Sequence, residues 1–144
     1  MEKVGFVGAF DKTDLLIYIA KILTVLGKRV LIVDTTITQK AKYVVPALNP
    51  TLSYITEFEE IDIAVGFKNV EAIANYTNRS IETLEYDYLL LDIDSAESAM
   101  NFRIDRSVQN FFVTSFDTYD IRRGVEILGQ FQTPIKMTKV LVAN

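Results

Sequence analysis

The sequence predicts an α/β domain with a doubly wound, mainly parallel sheet and helices on both of its faces. Short runs of aliphatic and β-branched residues recur along the chain without polar alternation. Such strands are buried on both faces, which is typical of a parallel sheet. Residues 3–34 also have the order strand, helix, strand, which indicates a βαβ unit with a right-handed crossover.

The first βαβ unit has the clearest local signals. Residues 3–7 form an apolar run that predicts a strand, and Gly8 predicts the turn after it. Across residues 13–26 the apolar positions recur at helical spacing, and Gly27 follows where a helix stop is expected. Residues 29–34 then predict a strand that is buried on both faces.

The rest of the chain repeats the pattern less clearly. Further buried strands are predicted at 88–92, 110–114 and 139–143, and a helix at 118–131. Weaker patterns predict helices at 37–45, 69–75 and 80–84, extended segments within 53–67, a cap or turn at Asp94-Ser95, and core positions for Phe111, Phe112 and Phe116. No linker or repeat interrupts the chain, so residues 1–144 are expected to form a single domain.

The composition is that of a folded domain and excludes several kinds of chemistry. The 144 residues are 49% hydrophobic with a net charge of −4, which excludes disorder. The absence of Cys and His excludes cysteine nucleophiles, histidine-based triads, disulfides and Cys/His zinc sites. The acidic balance also argues against binding nucleic acid over a broad surface.

The segment between the first strand and the first helix carries the strongest functional signal. Ligands of doubly wound sheets bind at the carboxyl ends of the strands, and this segment follows such an end. Its sequence is Val7-Gly8-Ala9-Phe10-Asp11-Lys12-Thr13, hereafter the phosphate loop. Lys12 and Thr13 are the residue types that contact phosphates and magnesium in such loops, and Gly8 and Ala9 are small. Asp11 instead places a carboxylate where a glycine would let a phosphate approach.

The phosphate loop and the later segment Gly27-Lys28-Arg29-Val30-Leu31-Ile32-Val33-Asp34 together resemble the start of a MinD/ParA-type P-loop ATPase. That family has a deviant Walker A loop, Lys-Gly-Gly-x-Gly-Lys-Thr. The segment Tyr86-Asp87-Tyr88-Leu89-Leu90-Leu91-Asp92 is similar to the family's Walker B-like strand, and residues 139–144 to a later strand that ends in a purine-reading Asn. The resemblance covers residues 3–36 and 85–144 and implies a Rossmann-like, three-layer P-loop NTPase fold.

The resemblance also implies a set of site residues. The implied nucleotide-binding residues are Gly8, Ala9, Asp11, Lys12, Thr13 and Asn144. The implied magnesium-binding residues are Thr13, Asp34 and Asp92. ATP and magnesium are the ligands that the resemblance implies, although the residues themselves leave open whether they are bound. No catalytic residue is assigned.

The departures from the family pattern fall on its functional positions. The family's signature Lys, which reaches the nucleotide of a dimer partner, is matched here by Val7, and the Asp that orients the attacking water is matched by Thr36. Ala9 and Asp11 replace two loop glycines. Loss of charged catalytic groups removes transition-state stabilisation. We therefore expect a degenerate member, similar to the TadZ/CpaE-like localisation proteins: a positioning, interaction or regulatory module with weak or absent ATP hydrolysis, and not an enzyme.

Two other functions remain open from the sequence. The first is an active ATPase that switches between a monomer and an ATP-dependent dimer. The second is a receiver-like signalling domain, because Asp34, Asp92 and Thr114 all fall at strand ends. Against the receiver, the last strand ends in Ala143-Asn144 without a Lys, and the interval between the two aspartates is long.

Partners and location are expectations of the same kind. The resemblance implies a homodimer through the phosphate-loop face or a protein partner, and Val7 in place of the Lys would make a dimer depend less on nucleotide. No bulk nucleic-acid binding and no intrinsic membrane segment are expected, and cytoplasmic residence is the default. Because the chain is short for the resembled family, it is also expected to be the N-terminal domain of a longer protein or a trimmed relative.

Overall fold

The structure is a computed structural model that describes residues 1–36 and 53–143. The helix predicted at 37–45 and the implied purine reader Asn144 lie outside the described residues. The strands are β1 (Glu2–Val7), β2 (Val30–Asp34), β3 (Tyr54–Phe58), β4 (Ile61–Val65), β5 (Tyr88–Ile93), β6 (Gln109–Ser115) and β7 (Thr138–Val142). The helices are α1 (Thr13–Val25), α2 (Val70–Tyr76), α3 (Ala96–Asn101) and α4 (Thr118–Gly129), with short 3-10 turns at Ile81–Thr83 and Ile104–Arg106.

The strands form one sheet in the order β3-β4-β2-β5-β1-β6-β7. Neighbouring strands are parallel, except that β3 runs antiparallel to β4 at one edge. The extended segments predicted within 53–67 are therefore a hairpin. Its two-residue turn is Glu59-Glu60, and both residues have positive φ, 50° and 70°.

Helices cover both faces of the sheet, as the sequence predicts. On one face, Leu16 and Ala20 of α1 pack with Phe6, Ile32 and Leu90 of the central strands. On the other face, α2, α3 and α4 pack on a second buried cluster that contains Val7, Leu31, Ile73, Ala99 and Ile127. All five residues of β2 are buried, which explains its uninterrupted apolar sequence. The doubly wound α/β class is confirmed.

Most predicted elements are present, with a few differences. The predicted segment 80–84 contains only the 3-10 turn Ile81–Thr83, and α3 was not predicted. Ser95, expected to cap or turn, caps α3 by accepting a hydrogen bond from the Ser98 backbone N–H at 3.1 Å. The prediction of Phe116 as core is wrong, because its side chain follows the end of β6 and is 69% exposed.

The strand order does not match that of a receiver domain. Receiver domains have the order 2-1-3-4-5, in which the first two strands are neighbours. Here β5 lies between β1 and β2. The receiver-like alternative is therefore inconsistent with the fold.

Within residues 1–36 and 53–143, no helix has both the length and the apolar character needed to cross a membrane.

Candidate functional site

A cleft of about 590 Å³ opens beside the phosphate loop at the carboxyl ends of the central strands. This loop cleft is lined by Ala9, Phe10, Asp11, Lys12, Thr13, Thr36, Asp92, Asp94, Tyr119, Asp120 and Arg123. Its place is the one at which doubly wound sheets bind ligands.

Gly8 holds the phosphate loop close to the sheet. Its backbone N–H donates to the Ile93 carbonyl at 3.0 Å. Its φ is +154°, and a Cβ at this position would lie 2.1 Å from the Val113 carbonyl oxygen. Only glycine fits between the loop and β6, because any side chain would collide with backbone that cannot move aside.

Lys12 is the most unusual residue of the loop, because a charged side chain is rarely buried so completely. Its exposed fraction is only 1%. Its Nζ donates to the Gly8 carbonyl at 2.7 Å and to the Phe10 carbonyl at 3.4 Å, and it lies 3.0 Å from Oδ1 of Asp92. Its two hydrogen bonds and its ion pair are therefore all made with groups of the chain itself.

Asp92 is the acidic partner of Lys12 and comes from β5. Burial raises the pKa of its carboxyl to about 6, while Lys12 acts to lower that pKa and the charge of Asp34 acts to raise it. Asp34 of β2 stands directly opposite Asp92 in the parallel register. The carboxyl group that is paired with Lys12 therefore has a second buried carboxyl group on the neighbouring strand.

Asp34 is held by Thr36, two residues further along in the loop after β2. Its Oδ1 accepts hydrogen bonds from the Thr36 backbone N–H at 2.9 Å and from the Thr36 hydroxyl at 2.5 Å. The neighbouring Thr35 hydroxyl donates to the Asp92 carbonyl at 2.7 Å, which ties the ends of β2 and β5 together. Thr36, which replaces the water-orienting Asp of the resembled family, here closes a local turn around Asp34.

Asp11 contacts the start of α1. Its Oδ1 accepts a hydrogen bond from the Thr13 backbone N–H at 3.2 Å. A free N–H at the first turn of a helix is one of the groups with which a phosphate loop binds anions. In this chain that N–H is bonded to a carboxylate of the loop itself.

The structure brings most of the implied site residues together. Ala9, Asp11, Lys12, Thr13 and Asp92 line the loop cleft. Gly8 lies behind it against β6, and Asp34 connects to it through Thr36. In the described ranges, no group of three or more Asp, Glu, His or Cys side chains is arranged to hold a metal ion. The role in magnesium binding that the resemblance implies for Thr13, Asp34 and Asp92 stays a prediction.

Four residues of the cleft lining, hereafter the far wall, were not identified from the sequence. Asp94 follows β5, while Tyr119, Asp120 and Arg123 belong to the first two turns of α4, which follows β6. Their position after carboxyl ends of central strands is the signal that could have found them.

The far wall is built by local hydrogen bonds. Asp117 starts α4 by accepting from the Tyr119 backbone N–H at 2.8 Å. The Ser115 hydroxyl donates to Asp120 at 2.6 Å, and Arg123 pairs with Glu126 at 2.7 Å. The arginine of the cleft, like the lysine, therefore has an acidic partner within the chain.

As it stands, this arrangement disfavours a triphosphate. The Lys12 ammonium and the Thr13 N–H are two of the groups of the loop that would bind phosphate; the first is ion-paired with Asp92 and the second donates to Asp11. The cleft also contains four carboxyl groups, those of Asp11, Asp92, Asp94 and Asp120. Negative charges a few Å from a phosphate oppose its binding.

The strand order and the position of the phosphate loop define a P-loop NTPase-like α/β fold. Solved structures of MinD/ParA ATPases have this fold. The chain is similar to MinD in the MinC:MinD cell division protein complex of Aquifex aeolicus (TM-score 0.66, 17% identity, 100% of this chain and 68% of that chain). It is also similar to the MinD cell division protein of Aquifex aeolicus (TM-score 0.60, 17% identity, 100% and 69%) and to a ParA family ATPase from Chlorobium tepidum TLS (TM-score 0.53, 15% identity, 99% and 73%).

No family model and no curated protein matches the chain. At 17% identity or less, the structural likeness shows the fold and not the activity.

Proposed function

We propose that this chain is a degenerate MinD/ParA-like P-loop domain that acts as a positioning, interaction or regulatory module, with weak or absent ATP hydrolysis. In this proposal ATP with magnesium binds weakly, and the chemistry of phosphate transfer is lost. The degeneracy is of the kind found in TadZ/CpaE-like proteins.

One observation carries the proposal: the Lys12 ammonium is buried and directs its hydrogen bonds into the chain. In a working phosphate loop the lysine must contact the phosphates, where charge develops during transfer. Here a phosphate would have to displace a carboxylate or a carbonyl from Lys12 before it gained that contact.

Two replaced positions support the proposal. Val7 takes the place of the lysine that reaches a dimer partner in the resembled family, and its side chain is fully buried in the core. Thr36 takes the place of the water-orienting aspartate, and its hydroxyl is bonded to Asp34. Neither position supplies the charge that transition-state stabilisation requires.

An interaction role agrees with the surface beside the cleft. Phe116 and Tyr119 are each 69% exposed next to the start of α4, and Tyr119 lines the cleft. Exposed aromatic residues are enriched where proteins bind one another. The partner in this proposal is a second copy of the chain or another protein, as in the MinC:MinD complex for the structural neighbour.

The test is a titration with magnesium and ATP, followed by a measurement of phosphate release. We expect millimolar or weaker binding and no multiple turnover, and Lys12→Ala should change neither by much. Lys28→Ala is the matched control, because Lys28 is exposed beyond the end of α1 and is not among the residues that line the cleft. Tight binding with multiple turnover that Lys12→Ala abolishes would establish the alternative, an active ATP-dependent dimerisation switch.

A further inference from the structure

Two of the groups in the phosphate loop that can bind an anion lie next to a carboxylate of the chain. The Lys12 ammonium lies 3.0 Å from the Asp92 carboxylate. The Thr13 N–H, at the N-terminus of a 13-residue helix, donates to the Asp11 carboxylate at 3.2 Å. A phosphate group would use the same ammonium and the same N–H.

The two carboxylates differ in how firmly they are held. Asp92 belongs to β5, is nearly fully buried and stays next to Lys12 because the strand fixes it. Asp11 lies in the loop, is exposed to solvent and accepts a hydrogen bond from the backbone of Thr13, two positions away. Asp11 can therefore be changed or moved without disturbing the core.

We propose that Asp11 and Asp92 are internal competitors that keep phosphate groups out of the loop, so that the domain is autoinhibited toward nucleotide. This inference rests on the proposed function, and it gives a physical cause for the weak binding of ATP in that proposal. The loop keeps the shape of an anion site, because Gly8 still brings it against β6 and Lys12 still directly precedes the helix. The carboxylates take up two of the anion-binding groups of that site from within the chain.

The competitor role predicts that removing one charge should increase nucleotide affinity. Asp11→Asn keeps the size of the side chain and its ability to accept a hydrogen bond at a helix start. It removes only the negative charge. We expect the Kd for ATP, measured by calorimetry in EDTA so that no metal contributes, to fall by about tenfold, because the variant loses the repulsion between Asp11 and the phosphates and a weaker acceptor competes for the Thr13 N–H.

The matched control is Asp14→Asn. Asp14 is exposed in the first turn of the same helix but does not line the cleft. It carries the same charge change, so it reports the general electrostatic effect on ATP, for which we expect less than about a threefold change because solvent and salt screen it.

Asp11→Gly is the second variant, and it restores the small residue of a phosphate loop. A gain in ATP affinity in both Asp11 variants that exceeds the gain in Asp14→Asn supports the proposal. Unchanged or weaker affinity in both Asp11 variants, or an equal gain in Asp14→Asn, overturns it. The readout is binding alone, whereas the proposed function fails if the unmodified chain turns over ATP, so the two failures are distinguishable.

Discussion

At the scale of single residues, the chemistry of the cleft depends on a buried lysine paired with Asp92, which has a second buried aspartate beside it. Asp92 is 4% exposed and Asp34 is 1% exposed, and they face each other across β5 and β2. Burial penalises a charged carboxyl, and one ammonium group offsets this penalty only in part. The result is the raised pKa of Asp92.

This raised pKa predicts how stability depends on pH. The pKa of Asp92 is about 6 in the folded chain against 3.8 for an unperturbed Asp, so between these values the folded state binds more protons than the unfolded state. The contribution of this group to stability is therefore fully present below about pH 4 and is lost as the pH rises through about 6. The loss is on the order of 3 kcal/mol.

Urea unfolding between pH 4 and pH 7 measures this dependence, and NMR titration of the Asp92 carboxyl gives the pKa directly. Asp92→Asn is the control, because it cannot titrate, although it leaves Lys12 without its ionic partner. A difference in unfolding free energy between the two proteins that stays constant over this range contradicts the prediction.

The sequence identified the phosphate loop but not the state of Lys12. The order Lys12-Thr13 at a helix start is a local signal that neighbouring residues carry. The burial of Lys12 depends on Asp92, which a separate strand brings alongside β1. Pairings between distant segments leave no trace in a single sequence, so the internal competition could not be predicted.

At the scale of elements, local signals predicted the long helices, the seven-residue α2 and the central strands, but missed α3 and the hairpin turn. The 13 residues of α1 show helical periodicity over several turns, whereas the six residues of α3 are too few to show a period. The hairpin of β3 and β4 has no Gly or Asn in its turn, so the usual hairpin signal was absent. The turn residues are Glu59 and Glu60, both with positive φ.

We predict that the double substitution Glu59→Asn with Glu60→Gly stabilises the domain by about 0.5–1 kcal/mol, because these residues accept the positive φ of this turn with less strain. Thermal or urea unfolding checks the change. Glu59 also pairs with Lys21 at the surface, and such exposed pairs contribute little.

Glu59→Ala is the control for loss of the pair with Lys21, because alanine gains nothing at positive φ. If the alanine variant were stabilised as much as the Asn-Gly variant, backbone strain would not be the cause.

At the scale of the whole molecule, the two-sided burial of the strands predicted the fold class. The uninterrupted apolar runs of β2 and β5 require covering layers on both faces, and α1 on one side with α2, α3 and α4 on the other supply them. The position of β5 between β1 and β2 could not be predicted from the apolar pattern. Strands with equally apolar sequences fit equally well at any central position of the sheet.

The phosphate loop also bears on whether the protein forms a dimer that depends on ATP. We predict that the mass of the protein in solution, measured by sedimentation equilibrium, is the same with and without magnesium and ATP. The reason is that Val7 is buried in the core and cannot contact a nucleotide held by a second copy. A dimer that forms only with ATP contradicts this expectation.

The rate of phosphate release at several millimolar magnesium and ATP measures most directly whether this domain hydrolyses ATP. In the proposed function hydrolysis is weak or absent because Lys12 is committed to partners within the chain. We predict no release above that of Lys12→Ala, with both proteins shown to be folded by circular dichroism. Repeated turnover by the unmodified chain that disappears in Lys12→Ala would contradict it.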